Sequence, residues 1–207
     1  GSDRDRALAL ASDEAGGVFA AGRFGRRAIP VEADMADPAA QESVVKMAID
    51  RFIKIDILVN AAAVGWPGEN PSESPGGKYF LSTTPEEWAK VTTTNLDAAA
   101  GLMHVVAQQM IHLGGGKIIN VTSAPGHHST EGFPAYGASK DALEQLTQTL
   151  AHDLGQRWFH VNCIAMGRIV TETLASGEFW PAERRGAVAR ARARLLGCKT
   201  WGGRLLL

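Results

Sequence analysis

A tyrosine and a lysine one helical turn apart are the residues of this chain best suited to proton transfer. Tyr136 and Lys140 stand in YGASK at the start of a predicted helix, so the phenol and the ammonium are expected on one helix face. Ser123 ends the preceding predicted strand and is able to donate to the same substrate oxygen. A phenol has an ordinary pKa of ~10, and a neighbouring ammonium favours the phenolate. The group predicts acid/base chemistry at a carbonyl or alcohol oxygen.

Alternating strands and helices are predicted to position these side chains. Short, β-branched apolar runs indicate strands buried on both faces, and capped periodic segments between them indicate helices. This alternation is typical of βαβ units with a parallel sheet. The predicted strands are 27–32, 54–60, 117–123 and 159–165, and the predicted helices are 38–52, 85–113 and 135–156.

Ligands of such sheets lie outside the carboxyl ends of the strands. The residues that follow the predicted strands are therefore the first candidates for binding. They are Asp34, Asn60, Ser123 and Gly167.

Length and composition predict one globular domain over residues 1–207. The chain has 45% hydrophobic and 21% charged residues and a net charge of -1, which argues against disorder and against a polyanion-binding protein. Its two cysteines, Cys163 and Cys198, form no paired motif, so neither a disulfide framework nor a metal site is predicted. No apolar run is long enough to span a bilayer. We therefore expect a cytoplasmic protein without nucleic-acid or membrane partners.

The chain resembles the short-chain dehydrogenase/reductase family from about Arg27 to Thr173. Tyr-x-x-x-Lys alone is a weak signal, but it occurs here with Ser123 before it, with Asn95 in TNL, and with the segments ADMAD, LVNA and VNCIA in the family's order. The resemblance implies a Rossmann-like, doubly wound parallel sheet in three αβα layers. It also implies NAD or NADP as cofactor and a small carbonyl or alcohol substrate. The implied catalytic residues are Asn95, Ser123, Tyr136 and Lys140.

The resemblance also assigns a cofactor-binding set. In the family, the counterpart of Asp34 bonds the adenine amine, the counterparts of Asn60 and Ala61 line the cofactor, and the counterpart of Lys140 bonds the nicotinamide ribose. The family's Asn-Asn-Ala-Gly ends here in Ala63, and Met166-Gly167 replaces its Pro-Gly. The complete implied set is Asp34, Asn60, Ala61, Tyr136, Lys140, Gly167, Ile169 and Thr171.

The amino-terminal part departs from the family pattern, because the sequence has no Thr-Gly-x-x-x-Gly-x-Gly turn to hold a pyrophosphate. Two alignments stay open. In the first, Asp3-Arg4-Asp5 ends the second strand, a helix follows, and the first strand–turn–helix unit is missing; Asp3 would then favour NAD. In the second, Arg6 to Ala11 is the first helix, residues 17–20 are the second strand, and Arg23 would favour NADP.

Other hypotheses accompany the enzyme. The missing glycine turn, Ala63 and Met166 motivate a catalytically inactive binding or scaffold homologue. The arginines of residues 184–194 motivate a nucleic-acid binder, although a solvated helix face is the more usual reading. The polar loop 66–78 is either a plain connection or a substrate-side lid. Helices 85–113 and 135–156 imply, by resemblance, a homodimer or homotetramer, and His104, Gln108 and His112 would form a polar stripe at its interface.

Overall fold

The structure, a computed structural model, describes residues 9–12, 17–22, 27–65, 80–127 and 132–167. Strands and helices alternate after the third strand, as the sequence predicts. The strands are β1 Ala9–Ser12, β2 Gly17–Gly22, β3 Arg27–Glu32, β4 Ile57–Asn60, β5 Gly116–Ser123 and β6 Phe159–Met166. The helices are α1 Pro38–Phe52, α2 Pro85–Thr92, α3 Ala98–His112, the short α4 Ala124–His127 and α5 Pro134–Gly155.

The six strands form one sheet in the order β3-β2-β1-β4-β5-β6. This is the Rossmann strand order, in which the chain reverses direction across the sheet between β1 and β4. β4 pairs in parallel with both β1 and β5, and β5 pairs in parallel with β6. The predicted Rossmann-like α/β fold is confirmed, with the carboxyl ends of β4, β5 and β6 on a common edge.

The amino-terminal strands differ from both alignments of the sequence. Residues 9–12 form a strand, so the helix that the second alignment expects over Arg6 to Ala11 is wrong in its described part. The helix that the first alignment expects after Asp5 is not found either, because the described residues 9–12 and 17–22 are strands. The strand expected at 17–20 is present within β2. Asp3 and Arg23 lie outside the described residues.

Short connections explain why β2 runs against its neighbours. Four residues join β1 to β2, and four join β2 to β3, whereas a parallel crossover needs about a dozen or more. Both pairs are therefore antiparallel, which leaves β3 running in the same direction as β1 and β4. The sheet is mixed rather than wholly parallel, and β1 still occupies the central position beside β4.

The core lies between the sheet and helices α1, α3 and α5. Leu58, Ile118 and Val161 are register partners on neighbouring strands and are buried on one sheet face. Side chains of the three helices cover them, and α1 packs against α3 at Gly101, where an added Cβ would lie 2.2 Å from Oε1 of Gln41. None of the described helices combines the length and apolarity that a bilayer crossing requires.

The helix predicted over 85–113 has an internal irregularity. It consists of α2, a π-helical segment from Thr93 to Asp97, and α3. Thr84 and Glu87 form a capping box at its amino end. Such π-turns are rare and frequently lie at functional sites, and this one contains Asn95.

Several predictions fall outside the described residues, namely those for Ile169, Thr171, loop 66–78 and residues 184–194. A single domain over 1–207 accordingly stays a prediction.

Candidate active site

Ser123, Tyr136 and Lys140 meet at the carboxyl edge of the sheet. Ser123 is the last residue of β5, while Tyr136 and Lys140 occupy the first two turns of α5. The Ser123 hydroxyl hydrogen-bonds the phenol of Tyr136. The Nζ atom of Lys140 lies 5.9 Å from the centre of the Tyr136 ring. The structure therefore brings together the three groups that the sequence predicts to act at one oxygen atom.

Burial controls the protonation of the phenol and the ammonium. Tyr136 is 6% exposed and Lys140 is 2% exposed. Burial raises the pKa of Tyr136 above 10.0, and the hydrogen bond with Ser123 offsets only part of this change. Burial lowers the pKa of Lys140 to about 8. In the absence of cofactor the phenol thus holds its proton. The shift of its pKa towards neutral pH, which Lys140 and an oxidised nicotinamide together would favour, stays a prediction.

Lys140 points its ammonium at the strand that carries Ser123. Its Nζ donates to the carbonyl oxygen of Val121 at 2.9 Å. The short helix α4 packs against the same turn, because a Cβ added to Gly126 would come within 3.1 Å of the Asp141 nitrogen and 3.2 Å of the Lys140 carbonyl carbon. An added Cβ at Gly126 would therefore require the segment that follows Ser123 and α5 to separate by a few tenths of an ångström.

Asn95 joins the site through its side-chain amide. Its Oδ1 accepts from the Val64 nitrogen at 2.8 Å, and its Nδ2 donates to the Val64 oxygen at 3.0 Å. The same Nδ2 donates to Oγ of Ser139 at 3.0 Å. Asn95 is 1% exposed, so this amide ties the segment after β4 to α5 within the protein interior. The disturbed helix geometry at Asn95 is consistent with these outward-reaching bonds.

An apolar cluster packs around the Tyr136 side chain. Tyr136 is buried with Val91 of α2 and with Phe133 and Ala135 at the start of α5. Ala63, which stands where the family has glycine, packs against this cluster together with Val64 and Trp88. The methyl group of Ala63 therefore contributes to the packing around Tyr136.

Among the residues predicted to bind cofactor, Asp34 and Asn60 differ in environment. Asp34 is exposed after β3, and its Oδ1 accepts from the Ala36 nitrogen at 2.9 Å. Asn60 is 6% exposed at the end of β4, and its Nδ2 donates to Oδ1 of Asn120 at 2.8 Å. Ala61 follows directly and is partly buried, whereas Gly167 is exposed beyond β6 with open space around its Cα.

Sequence reasoning missed a buried polar network behind Asn60. Nδ2 of Asn120 donates to Oγ1 of Thr147 at 2.8 Å and lies 3.3 Å from the sulfur of Met103. It also missed Ser139, whose Oγ donates to the backbone carbonyl oxygen of Tyr136 at 2.8 Å. A serine one residue before Lys140 and a threonine on the core side of a helix are ordinary in a sequence. Only the pairing across elements identifies them.

The strand order and the polar cluster at the carboxyl edge define a Rossmann-like α/β protein. The family model for short chain dehydrogenases matches residues 7–180. The chain therefore belongs to the short chain dehydrogenase family, whose members depend on NAD or NADP. Its relatives are oxidoreductases.

Three similar proteins illustrate this relationship. An uncharacterized oxidoreductase of Mycobacterium tuberculosis is 36% identical over 151 residues, which cover 72% of this chain and 53% of that protein. The crystal structure of levodione reductase gives a TM-score of 0.67 at 26% identity, covering 79% of this chain and 60% of that one. A gluconate 5-dehydrogenase from Burkholderia cenocepacia, solved with NADP and tartrate, gives 0.61 at 27% identity, covering 69% and 52%. The chain thus spans little more than half the length of these relatives.

Proposed function

We propose that this protein is an NAD(P)-dependent oxidoreductase in which Tyr136 exchanges a proton with a carbonyl or alcohol substrate. The contact between the Ser123 hydroxyl and the buried Tyr136 phenol is the observation that carries the proposal. It places two hydroxyl groups at one point of the carboxyl edge, where Rossmann-like sheets bind their ligands.

The residues at this edge suit the nicotinamide end of a dinucleotide. Lys140 is a buried cation whose present acceptor is one backbone carbonyl, and ribose hydroxyls offer similar acceptors. Asp34, Asn60, Ala61 and Gly167 line the same edge at the ends of β3, β4 and β6, and the proposed set continues with Ile169 and Thr171. The sequence has no glycine-rich turn of the family type, so Thr171, which matches a family position that contacts the pyrophosphate, is the residue we assign to it.

Each proposed catalytic residue has a separate task. A bound nicotinamide supplies the hydride in reduction and accepts it in oxidation. In the direction of reduction, Tyr136 donates its proton to the substrate oxygen while Ser123 donates a hydrogen bond to the same atom. In the direction of oxidation, the Tyr136 phenolate accepts the alcohol proton, and Lys140 stabilises the phenolate by its charge. Asn95 holds the segment after β4 against α5.

The test combines binding with turnover. Fluorescence titration of the 207-residue protein with NADH and NADPH measures affinity and cofactor choice together. Levodione and gluconate, the compounds named for two relatives, are the first substrates to assay with the reduced and the oxidised cofactor, respectively. We expect Tyr136→Phe to bind cofactor as well as the parent does and to lose at least about 100-fold in turnover, the scale of acid/base catalysis.

The inactive alternative makes opposite predictions. A scaffold homologue would bind neither nucleotide and would keep its function after Tyr136→Phe. Absence of affinity for both NADH and NADPH in folded protein would overturn the proposed function.

We also propose a cytoplasmic homodimer or homotetramer. A groove between α3 and α5 supports self-association, because apolar side chains line it beside the exposed pair His104 and Gln108, whose Nε2 atoms are 2.9 Å apart. Sedimentation velocity of the purified protein tests this state, and a monomer at assay concentrations would contradict it.

A further inference from the structure

Two buried hydroxyls of α5 repeat one hydrogen-bond arrangement, two helical turns apart. Oγ of Ser139 accepts from Nδ2 of Asn95 at 3.0 Å and donates to the backbone carbonyl oxygen of Tyr136 at 2.8 Å. Oγ1 of Thr147 accepts from Nδ2 of Asn120 at 2.8 Å and donates to the backbone carbonyl oxygen of Leu143 at 2.7 Å. Ser139 is 1% exposed and Thr147 is 2% exposed. Each hydroxyl therefore links a neighbouring asparagine to a backbone carbonyl one turn back in α5.

The two links end at different places. The carbonyl that Thr147 bonds belongs to Leu143, a core residue. The carbonyl that Ser139 bonds belongs to Tyr136 itself, the residue that carries the phenol. The Thr147 link thus anchors the middle of the helix, whereas the Ser139 link anchors the turn from which the phenol projects.

The Ser139 link also has a fixed far end. Asn95 is held by both backbone groups of Val64, at 2.8 and 3.0 Å. An unbroken series of hydrogen bonds consequently runs from the segment after β4, through the π-helical segment, to the first turn of α5. Both of its side chains, Asn95 and Ser139, are buried, where an amide or hydroxyl left without a partner destabilises the fold, so the geometry is strongly held.

We propose that Ser139 is a positioning residue that fixes the first turn of α5 and thereby sets where the Tyr136 phenol stands relative to Ser123. The inference rests on the proposed function of Tyr136 and adds to it a residue that touches neither substrate nor cofactor. A displacement of about 1 Å at a reacting group lowers the rate by up to about 100-fold. Loss of this link is therefore expected to reduce turnover even though the phenol remains.

Thr147 offers a matched control on the same helix. Ser139→Ala and Thr147→Val each remove one buried hydroxyl and leave one asparagine amide short of an acceptor. We expect both changes to lower the unfolding midpoint by similar amounts. We expect kcat to fall between about ten- and a hundredfold in Ser139→Ala, with a small change in KM, and to stay within about twofold in Thr147→Val.

A second measurement does not depend on turnover. The sequence holds two tyrosines, Tyr79 and Tyr136, so Tyr79→Phe protein carries Tyr136 as its sole phenol. Burial is the larger influence on the Tyr136 phenol, so a loosened turn that admits water should bring its pKa down towards 10.0. The tyrosinate absorbance of the Tyr79→Phe protein, followed against pH, should show this fall after Ser139→Ala and not after Thr147→Val.

The two measurements separate the inference from the proposed function. Without any hydride transfer in the parent, the phenol titration still decides whether Ser139 positions Tyr136. Unchanged titration and unchanged kcat in Ser139→Ala, or equal changes in both variants, would overturn the inference. If Ser139→Ala does not fold, Ser139→Cys, which keeps a weaker donor in the same place, is measured with the same expected directions.

Discussion

The two edges of the parallel strands β4, β5 and β6 have opposite chemistry. At the carboxyl edge, the polar side chains Asn95, Ser123 and Lys140 are buried and bonded to groups on other elements. At the amino edge, large apolar side chains precede the same strands and face solvent. They are Ile53, which is 71% exposed, Leu113 at 53% and Trp158 at 79%.

The backbone differs between the edges as well. Ile53 and Trp158 are the two non-glycine residues with positive φ in the described chain, at 75° and 61°. Glycine is the residue that adopts such angles without steric penalty, and Gly114, Gly115 and Gly132 do so here. Polar burial marks the edge that carries the proposed active site, whereas the strained non-glycine residues lie at the opposite edge. Strain alone would point to the edge away from the proposed active site.

Removal of the buried charge of Lys140 at the carboxyl edge should give the largest effect. We expect it to lower turnover and to raise the free energy of unfolding. Lys140→Met keeps the length of the side chain and removes an ammonium whose pKa burial has lowered to about 8. We expect turnover to fall at least about 100-fold, the scale on which a missing acid/base partner acts. We expect the free energy of unfolding at pH 7 to rise, because a desolvated charge is lost.

The pH dependence of stability checks the sign of this effect. Above pH 8 the native lysine releases its proton, while the unfolded lysine keeps it up to about 10.5, so the unfolded state binds more protons. The free energy of unfolding should therefore increase from pH 7 to 10, by an amount on the order of 3 kcal/mol at most. Denaturant titrations should show this rise in the parent and in Lys46→Met, an exposed control, but not in Lys140→Met.

The network behind Asn60 should give a smaller effect, measured as a loss of stability. Asn120→Ala leaves Nδ2 of Asn60 and the hydroxyl of Thr147 without their partner in a fully buried position. We expect a loss of about 2–3 kcal/mol, the scale of one or two buried unpaired groups. Asn162→Ala, on the exposed side of β6, is the control and should change the unfolding midpoint little. Equal losses in the two variants would show that the network is not what stabilises β4 against α5.

The sequence predicted the carboxyl edge well because its elements have strong local signals. Helix 135–156 is observed as Pro134–Gly155, and strand 117–123 as Gly116–Ser123, so the spacing of Tyr136, Lys140 and Ser123 translated directly into proximity. The strand predicted from Lys54 begins only at Ile57. The three residues before it connect α1 to the sheet: Lys54 and Asp56 pair with each other, and Ile55 is buried in the core.

Other features depend on contacts between distant elements and have no local signal. β2 runs antiparallel to β1 and β3 because the connections on either side of it are too short for a crossover. The family resemblance led us to expect a wholly parallel sheet instead. The partnership of Asn95 with Val64 and Ser139 joins positions 31 and 44 residues apart. Burial, which raises the pKa of the Tyr136 phenol in the cofactor-free protein, likewise has no signal in the local spacing.

The amino edge supplies the smallest expected effect, and a gain rather than a loss. A non-glycine residue in the left-handed region costs roughly 1–2 kcal/mol, whereas the extra freedom of glycine in the unfolded chain costs about 0.5–1 kcal/mol. Ile53 is largely exposed, so little burial is lost with its side chain. Ile53→Gly should therefore stabilise the protein by up to about 1 kcal/mol, measured as a higher unfolding midpoint.

Leu113 provides the matched control, because it is also an exposed apolar residue that ends a helix before a strand. Its φ of -96° is one that any residue adopts, so Leu113→Gly relieves no strain and should destabilise by about 0.5–1 kcal/mol. Neither change should alter cofactor affinity or turnover, since both positions lie at the edge away from Tyr136. A loss of activity in Ile53→Gly with an unchanged fold would break the proposed division, because it would give the strained edge a part in the chemistry.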